Sequence, residues 1–203
     1  MCFFFRLSRD AKYLENRFSA KFDEKDSFAP LDNYNGFTFP LTPIITNKEP
    51  SKIQLFSWGF VPSWAKDTSF RKNTVNAKIE TIHEKPSFRN SIKNRCMILI
   101  DGFYEWQWLD EKGKNKQKYL LTMPDNEPFA LGGLWNIWTD KSTGEVLNTY
   151  TILTTEANEQ MAIIHNSKKR MPMILKKEEE EMWLDNESVP FERDLVLVEK
   201  KLN

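Results

Sequence analysis

The sequence is poor in the residues that cross-link proteins or anchor them in membranes. Only two cysteines, Cys2 and Cys96, occur in 203 residues, and they do not form a CxxC pair. They permit at most one disulfide, which excludes a disulfide scaffold and gives no indication of a zinc site. No apolar run approaches the roughly 20 residues of a membrane span, and the N-terminus lacks the layout of a signal peptide. We therefore expect a cytoplasmic protein with no membrane partner, no metal and no cofactor.

The chain also lacks net charge, since 29 basic residues balance 29 acidic ones. It therefore does not have the overall basic character that is typical of nucleic-acid-binding proteins. The distribution is uneven, because residues 61–120 carry 12 basic against 7 acidic residues. That segment predicts either a basic face or an ordinary mixed, solvated surface. A hydrophobic content of 40% and this length indicate a globular protein, and we expect a single domain over residues 1–203.

Apolar periodicity predicts an α+β fold, a mostly antiparallel sheet curled toward a barrel with short helices at its edges. Residues 23–50 are rich in proline and read as loop with one short strand. The predicted helices are one capped by Ser8 with Ala11, Leu14 and Phe18 on its apolar face, and others over Pro86–Asn94, Glu156–Ile164 and Lys176–Leu184. The predicted strands are Ile44–Ile45, Ile53–Phe60, Cys96–Trp108, Tyr119–Met123, Phe129–Trp138, Leu147–Leu153 and Leu195–Val198.

The first two residues, Met1 and Cys2, have unusual chemical potential. A small residue at position two favours removal of the initiator methionine, after which the α-amine and thiol of Cys2 form a 1,2-aminothiol. The reference pKa values, about 7.7–8.0 for the amine and about 8.5 for the thiol, leave both groups partly reactive near neutrality. With an aldehyde, such a group forms a Schiff base and then a thiazolidine ring. The alternative is that Cys2 is an incidental residue in a loose terminus.

Two aromatic stretches and two polar residues are the other candidates for a site. Trp58-Gly59-Phe60-Val61-Pro62-Ser63-Trp64 forms a rigid corner, either a core plug or a platform on which bases stack. Glu105 lies within Phe103-Tyr104-Glu105-Trp106-Gln107-Trp108, where alternation puts Phe103, Glu105 and Gln107 on one face. A carboxylate there belongs either to an exposed face or to a site. His165 is one of two histidines and precedes a basic loop, whereas His83 lies on a predicted exposed helix.

Several of these pieces together resemble the abasic-site-processing family, also called the SOS-response-associated peptidase (SRAP) family. The matching motifs cover nearly the whole chain in the family's order. They are Met1-Cys2, Trp58-Gly59-x-x-Pro62-x-Trp64, Asn76-Ala77-Lys78-x-Glu80-Thr81, Asp101-Gly102-Phe103-Tyr104-Glu105-Trp106, and His165 followed by Arg170-Met171-Pro172.

The resemblance implies a sensor of abasic sites in single-stranded DNA that is present at the nucleoid during DNA damage. It implies that Cys2 is the nucleophile, Asn76 positions the intermediate, Glu105 is the acid/base group, and His165 assists sugar ring opening or reversal of the link. It also implies a monomer whose partner is single-stranded DNA with an abasic site. The candidate DNA contacts, which lie in or near the matched motifs, are Trp58, Pro62, Trp64, Arg71, Lys78, Arg170, Met171 and Pro172.

The residues suit these roles chemically. Opening the sugar hemiacetal needs a proton shuttle, and an imidazole titrates in the right range. A carboxyl group with a raised pKa, as expected for Glu105 among aromatics, can serve both as acid and as base. The uncharged amide of Asn76 suits a sugar hydroxyl or a ring nitrogen, although a turn residue is the alternative.

Two departures from the family pattern stand out. Glycine and arginine commonly follow the family's cysteine, whereas Phe3-Phe4-Phe5 follow it here and the first arginine is Arg6. Lys78 replaces the arginine that the family favours after Asn-Ala and loses its bidentate fork. We expect Phe3–Phe5 to pack the terminus against the sheet and to hold Cys2 still.

Three functions compete. The first is an enzyme that crosslinks itself covalently to abasic DNA, with possible lyase activity through the Schiff base. The second is a thiol peptidase or autopeptidase, a hydrolase that needs an oxyanion hole and a Cys–His pair. The third is a non-covalent single-strand binder that uses its tryptophans and the basic middle segment.

Overall fold

The computed structural model describes residues 2–190 and 195–202, and within them strands predominate. Met1, on which the predicted processing step depends, lies outside the described residues. The helices are α1 (Ala11–Phe18), α2 (Glu159–Ile164) and α3 (Glu180–Leu184), together with short 3-10 turns. The strands are β1 (Phe4–Leu7), β2 (Lys21–Phe22), β3 (Leu31–Asn35), β4 (Leu41–Thr46), β5 (Lys52–Trp58), β6 (Asn76–Lys78), β7 (Arg95–Ile100), β8 (Gly102–Trp108), β9 (Lys116–Thr122), β10 (Phe129–Thr139), β11 (Val146–Glu156), β12 (Arg170–Pro172), β13 (Ile174–Leu175) and β14 (Val198–Leu202).

Five strands close into a barrel. β11 pairs with β10, β10 with β7, β7 with β4, and β4 with β5, all antiparallel. β5 then returns to β11 in parallel register, with Trp58 opposite Tyr150, and this pairing closes the ring. β6 continues along β11 beyond that point, with Asn76 opposite Ile152. The predicted α+β class, with a mostly antiparallel sheet curled toward a barrel and short peripheral helices, is confirmed.

A second sheet has the order β14-β9-β8-β1-β3 and packs against the barrel. Residues of both sheets share one hydrophobic core, in which Phe5 and Phe103 join Trp58 and Tyr150, all without exposed surface. The aromatic N-terminal segment is thus a central strand of this sheet. The expectation that it packs the terminus against a sheet is confirmed.

The predicted strand over Cys96–Trp108 is interrupted at Asp101, so β7 and β8 belong to different sheets. The buried Asp101 carboxylate accepts hydrogen bonds from Arg6 Nε at 2.6 Å and from the Ser8 backbone N–H at 2.7 Å. Ser8 therefore binds Asp101 and does not cap α1. Asp10 caps that helix instead, by accepting from the Tyr13 N–H at 2.8 Å.

Other element predictions were wrong in detail. Pro86–Asn94 forms successive turns, not a helix, because its backbone bonds run mainly to the third preceding residue, as from Ser91 to Phe88. α2 begins three residues later than predicted, since Asn158 accepts from the Met161 N–H and caps it. β3 lies in the segment predicted as loop. The tail strand is displaced to Val198–Leu202, where it pairs with β9.

Candidate active site

The N-terminal segment is held rigidly on both sides. β1 pairs with β8, with Phe4 opposite Tyr104, and this register carries the first residues toward Glu105. The Phe3 carbonyl accepts a hydrogen bond from the Gly36 N–H at 2.9 Å. The Phe5 ring packs between Tyr34 and Trp58, with centroids 5.0 and 5.1 Å away. A residue preceding such a strand is fixed in space, as a positioned nucleophile requires.

Cys2 is fully buried beside Asn76. The Asn76 Nδ2 group donates a hydrogen bond of 2.9 Å to the Cys2 carbonyl, and the Cys2 thiol donates to the Phe4 carbonyl, with Sγ and O 3.8 Å apart. Burial, reinforced by the negative charge of Glu105, raises the pKa of the Cys2 thiol far above its ordinary value. In this form the thiol is protonated and needs a base to become a nucleophile.

Asn76 offers an unused acceptor at the same place. It enters from β6, which lies parallel to β11. Its Oδ1 atom is buried and has no hydrogen-bond partner among the described residues. A buried amide oxygen without a donor is costly unless a ligand supplies one. Asn76 can therefore hold Cys2 with one end of its side chain and accept a hydrogen bond with the other.

Glu105 and His165 face each other across two elements. Glu105 projects from β8 on the same face as Phe103, and His165 follows the last residue of α2. Their nearest atoms, Oε2 and Nε2, are 3.8 Å apart. This separation is too long for a direct hydrogen bond, but one substrate oxygen placed beside both atoms would reach each of them.

The protonation of this pair is shifted toward the neutral forms. Burial raises the pKa of the Glu105 carboxyl and lowers the pKa of the His165 imidazole to about 4. The His165 Nδ1 atom has two contacts with the Arg170 backbone, the carbonyl oxygen at 2.8 Å and the N–H at 3.2 Å, and the shorter of the two favours the proton on Nδ1. The Nε2 lone pair then faces Glu105. An acid and a base poised in this way can pass a proton through a substrate oxygen.

An open pocket of about 360 Å³ leads to these groups. Its walls combine aromatic rings, basic side chains, and the carboxyl and imidazole groups of the acid–base pair. The lining residues are Phe3, Phe4, Glu105, Trp106, Trp108, Lys116, His165, Ser167 and Lys168. Lys116 and Lys168 are exposed and come from β9 and from the loop after α2.

The two tryptophans of the aromatic corner have different environments. Trp58 has no exposed surface, stacks on Tyr150 at 6.3 Å, and donates from Nε1 to the Val75 carbonyl at 2.8 Å. Trp64 is 53% exposed, and its Nε1 donates to the Pro86 carbonyl at 3.1 Å. Pro62 between them is buried. The structure thus places Trp58 in the core and leaves Trp64 as the ring that a base can reach.

Two of the three cations predicted to contact DNA are already bound within the protein. Arg170 is 8% exposed and forms a bidentate pair with Glu80, at 2.8 and 2.9 Å. The Arg71 guanidinium donates to the Gly59 and Trp58 carbonyls at 3.3 and 3.2 Å. Lys78 is exposed, whereas Met171 and Pro172 are buried. None of these side chains lines the pocket, whereas Glu105 and His165 do.

The sequence suggested the basic loop that contains Lys168 as a contact for the DNA backbone, but sequence reasoning assigned no site role to Trp106, Trp108 or Lys116. In the β8–β9 register, Trp106 lies opposite Lys118 and Trp108 opposite Lys116. Lys118 Nζ lies 4.3 Å from the Tyr104 ring centroid, and Lys116 Nζ lies 5.5 Å from that of Trp108. Lysines alternating in β9 opposite an aromatic strand are the signal that would have indicated this surface.

Residues 2–190 and 195–202 contain no group of three or more His, Cys, Asp or Glu side chains able to hold a metal ion. None of the helices described there is long and apolar enough to cross a membrane.

Several known proteins are similar to this chain in sequence. The abasic site processing protein YoaM of Bacillus subtilis (strain 168) is 39% identical over 181 residues, which cover 85% of this chain and 77% of that protein. The abasic site processing protein HMCES of Gallus gallus is 34% identical over 165 residues, which cover 70% of this chain and 47% of that protein.

Solved structures share the fold. A crystal structure of a Bacteroides thetaiotaomicron protein has a TM-score of 0.89 at 35% identity and covers 100% of this chain, with 92% of that chain matched. The model of the family described as "SOS response associated peptidase (SRAP)" matches residues 1–201. This chain therefore belongs to the SOS response associated peptidase (SRAP) family.

Proposed function

We propose that this protein processes abasic sites in single-stranded DNA by joining Cys2 covalently to the ring-opened sugar. One observation carries the proposal: Glu105 and His165 line one open pocket, and the buried Cys2, which Asn76 holds by its carbonyl, lies close enough to Glu105 to be affected by its charge. Relatives that carry the name abasic site processing protein support the same substrate.

The first step opens the sugar. The abasic sugar is mostly a closed hemiacetal, so the anomeric hydroxyl must lose a proton while the ring oxygen gains one. The neutral His165 Nε2 accepts the first proton, and the protonated Glu105 carboxyl supplies the second. The products are a free aldehyde, a Glu105 carboxylate and a His165 imidazolium, which return to their starting forms by exchanging the proton.

The second step uses the α-amine that removal of Met1 exposes. The amine nitrogen adds to the aldehyde carbon, and the carbinolamine loses its hydroxyl as water with a proton from Glu105. The Cys2 sulfur then adds to the resulting iminium carbon, and its proton passes to the Glu105 carboxylate. One water leaves overall, and a thiazolidine joins protein and DNA. Asn76 Oδ1 accepts a hydrogen bond from the nitrogen or a sugar hydroxyl during this sequence.

Lyase and peptidase activities follow from the same groups. At the iminium stage a proton can leave the adjacent sugar carbon, and elimination of the phosphate then cleaves the strand. Ring closure by sulfur competes with this elimination. Peptidase activity would act on the Met1–Cys2 bond, which generates the reactive terminus. A general thiol peptidase is less well supported, because burial keeps the Cys2 thiol protonated.

The single strand is held at the mouth of the pocket. Lys116 and Lys168 are exposed in the pocket lining and can contact phosphates, and the Trp106 and Trp108 rings in the same lining offer surfaces for stacking. Of the DNA contacts predicted from the sequence, Trp64 and Lys78 remain candidates because both are exposed. Net neutrality of the chain implies few phosphate contacts, so binding is weak and the covalent step makes it effectively permanent.

The test is a single-turnover reaction with an oligonucleotide that contains one abasic site. We expect a heat-stable shifted band on a denaturing gel, and an adduct mass equal to processed protein plus DNA minus one water. The same oligonucleotide with an intact base is the control. Cleavage of a peptide substrate with no shifted band would favour the peptidase, and binding with neither product would favour the non-covalent binder.

A further inference from the structure

The edge of β8 changes partner next to the active site. β1 covers this edge only as far as the pairing of Phe4 with Tyr104. At Trp108, four residues after Tyr104 in β8, the side chain of Asn166 forms the hydrogen bonds that a neighbouring strand would otherwise form. Its Oδ1 accepts a hydrogen bond of 3.0 Å from the Trp108 N–H, and its Nδ2 donates one of 2.9 Å to the Trp108 carbonyl. One amide side chain thus satisfies both backbone groups of one residue.

A second contact ties the same two elements together. Gln107 Nε2 donates to the Ile163 carbonyl near the end of α2 at 3.2 Å. Gln107 Oε1 in turn accepts from the Tyr119 hydroxyl at 3.0 Å, which orients its amide. The C-terminal end of α2 and the loop after it are therefore fixed on β8 at two points.

These ties bracket the acid–base pair. Asn166 directly follows His165, and Trp108 lies three residues after Glu105 on the same strand. Asn166 is exposed and Trp108 only half-buried, so neither is held there by the hydrophobic core. The 3.8 Å separation of Nε2 and Oε2 thus depends on how the His165 loop is held on β8.

We propose that Asn166 is a positioning residue, which fixes His165 relative to Glu105 by fastening the loop after α2 to the backbone of Trp108. The inference rests on the proposed function, since the step that it controls is proton transfer through the sugar oxygen. An error of about 1 Å in such a geometry costs about a hundredfold in rate. A residue that acts only through His165 has no effect once the imidazole is removed.

The kinetic test uses single-turnover crosslinking rates in two backgrounds. We expect Asn166→Ala to lower the rate about ten- to a hundredfold in the wild type and to change nothing further in His165→Ala. Asn166→Asp keeps the acceptor and loses the donor, and we expect an intermediate rate. Equal factors for Asn166→Ala in both backgrounds would overturn the proposal, because a general structural role acts without regard to His165.

Asn158→Ala is the matched control. It removes the same side chain from the other end of α2, where Asn158 caps the Met161 N–H at 2.9 Å and donates to the Leu195 carbonyl at 2.8 Å. We expect it to lower thermal stability at least as much as Asn166→Ala while leaving crosslinking nearly unchanged. An equal loss of crosslinking in both variants would contradict the proposal.

A second readout does not depend on any reaction. The chain has two histidines, so imidazole proton NMR gives two sets of signals, with exposed His83 as the reference. His165 faces Glu105 from β8, and Lys168 and Arg170 from its own loop. We expect Asn166→Ala to shift the His165 signal and to raise its pKa from about 4, because the loosened loop admits water.

The two readouts separate the two claims. If the wild type forms no crosslink but Asn166→Ala still alters the His165 signal, the proposed function fails and the positioning role stands. An unchanged His165 signal and pKa in Asn166→Ala would refute the positioning role, whatever the protein does to DNA.

Discussion

Two acid–base pairs bridge separate elements of this protein, and they differ in every respect that matters for chemistry. Glu80 and Arg170 meet in a bidentate pair at 2.8 and 2.9 Å, and Arg170 also donates to the Thr154 carbonyl at 2.6 Å. Burial acts to raise the pKa of Glu80, but the hydrogen bonds and charge of Arg170 bring it below its ordinary value. Both groups are charged, and each is hydrogen-bonded to the other.

Glu105 and His165 lie 3.8 Å apart, and burial drives the pKa of each toward the neutral form. Neither group neutralises the other, and both line an open pocket. A directly bonded and charged pair fixes the fold, whereas a pair 3.8 Å apart whose groups are both shifted toward neutrality is suited to transferring protons. Geometry and burial together therefore distinguish the structural ion pair from the pair that we propose to be reactive.

The largest effect is expected at Cys2, the proposed nucleophile, which depends on Glu105 and His165 for proton transfer. Cys2→Ala should abolish the heat-stable crosslink, because no sulfur remains to close the ring, although a transient Schiff base still forms. Cys96→Ala is the matched control, since Cys96 is equally buried but lies in β7 within the barrel. A denaturing gel reads both variants. A heat-stable adduct with Cys2→Ala would rule out the thiazolidine.

Breaking the Glu80–Arg170 pair should lower the stability of the fold. Arg170→Ala should lower the free energy of unfolding by about 2–4 kcal/mol, because it leaves Glu80 without its partner. The value is below that of a fully buried pair, since the Glu80 side chain is 37% exposed. Urea unfolding measures it. A loss below about 1 kcal/mol would show that Glu80–Arg170 is an ordinary surface pair.

The buried, neutral imidazole of His165 should make the stability of the fold depend on pH. The pKa of His165 is about 4 in the fold and about 6.5 unfolded, so the unfolded chain binds the extra proton between these values. Stability should fall as the pH drops from 6.5 toward 4, by up to about 3 kcal/mol from this residue. In His165→Gln the slope of unfolding free energy against pH should flatten over that window. An unchanged slope would show that His165 is not buried in its neutral form.

The smallest effect concerns the DNA backbone. Lys116→Ala and Lys168→Ala should each reduce the slope of log affinity against log salt by about 0.7, as for one phosphate contact on a single strand. Arg170→Ala should leave that slope unchanged, because its guanidinium is occupied by Glu80. Fluorescence anisotropy with Cys2→Ala protein isolates binding from the covalent step. A reduced slope in Arg170→Ala alone would show that the DNA backbone contacts Arg170 and neither Lys116 nor Lys168.

Much of the fold and part of the candidate site could be predicted from the sequence. The pattern of apolar residues predicted β10 and β11, and the ordered motifs named Glu105 and His165, which line the pocket, and Cys2 and Asn76, which are bonded to each other. The break at Asp101 was not predicted, because its cause is a contact with Arg6 and Ser8, which are distant in sequence. The Glu80–Arg170 pair was missed for the same reason. Motif membership marked Arg170 and Trp58 as DNA contacts, but it cannot distinguish a residue kept for packing from one kept for a ligand.

The most direct test of the central claim compares Glu105→Gln with Glu80→Gln, the same change made in the reactive and in the structural pair. Glu105→Gln should slow single-turnover crosslinking by about 10²–10⁴ while leaving the unfolding free energy nearly unchanged. Glu80→Gln should lower stability and leave the rate in the folded protein within a small factor of wild type. Equal crosslinking rates for wild type and Glu105→Gln at every pH would contradict the account.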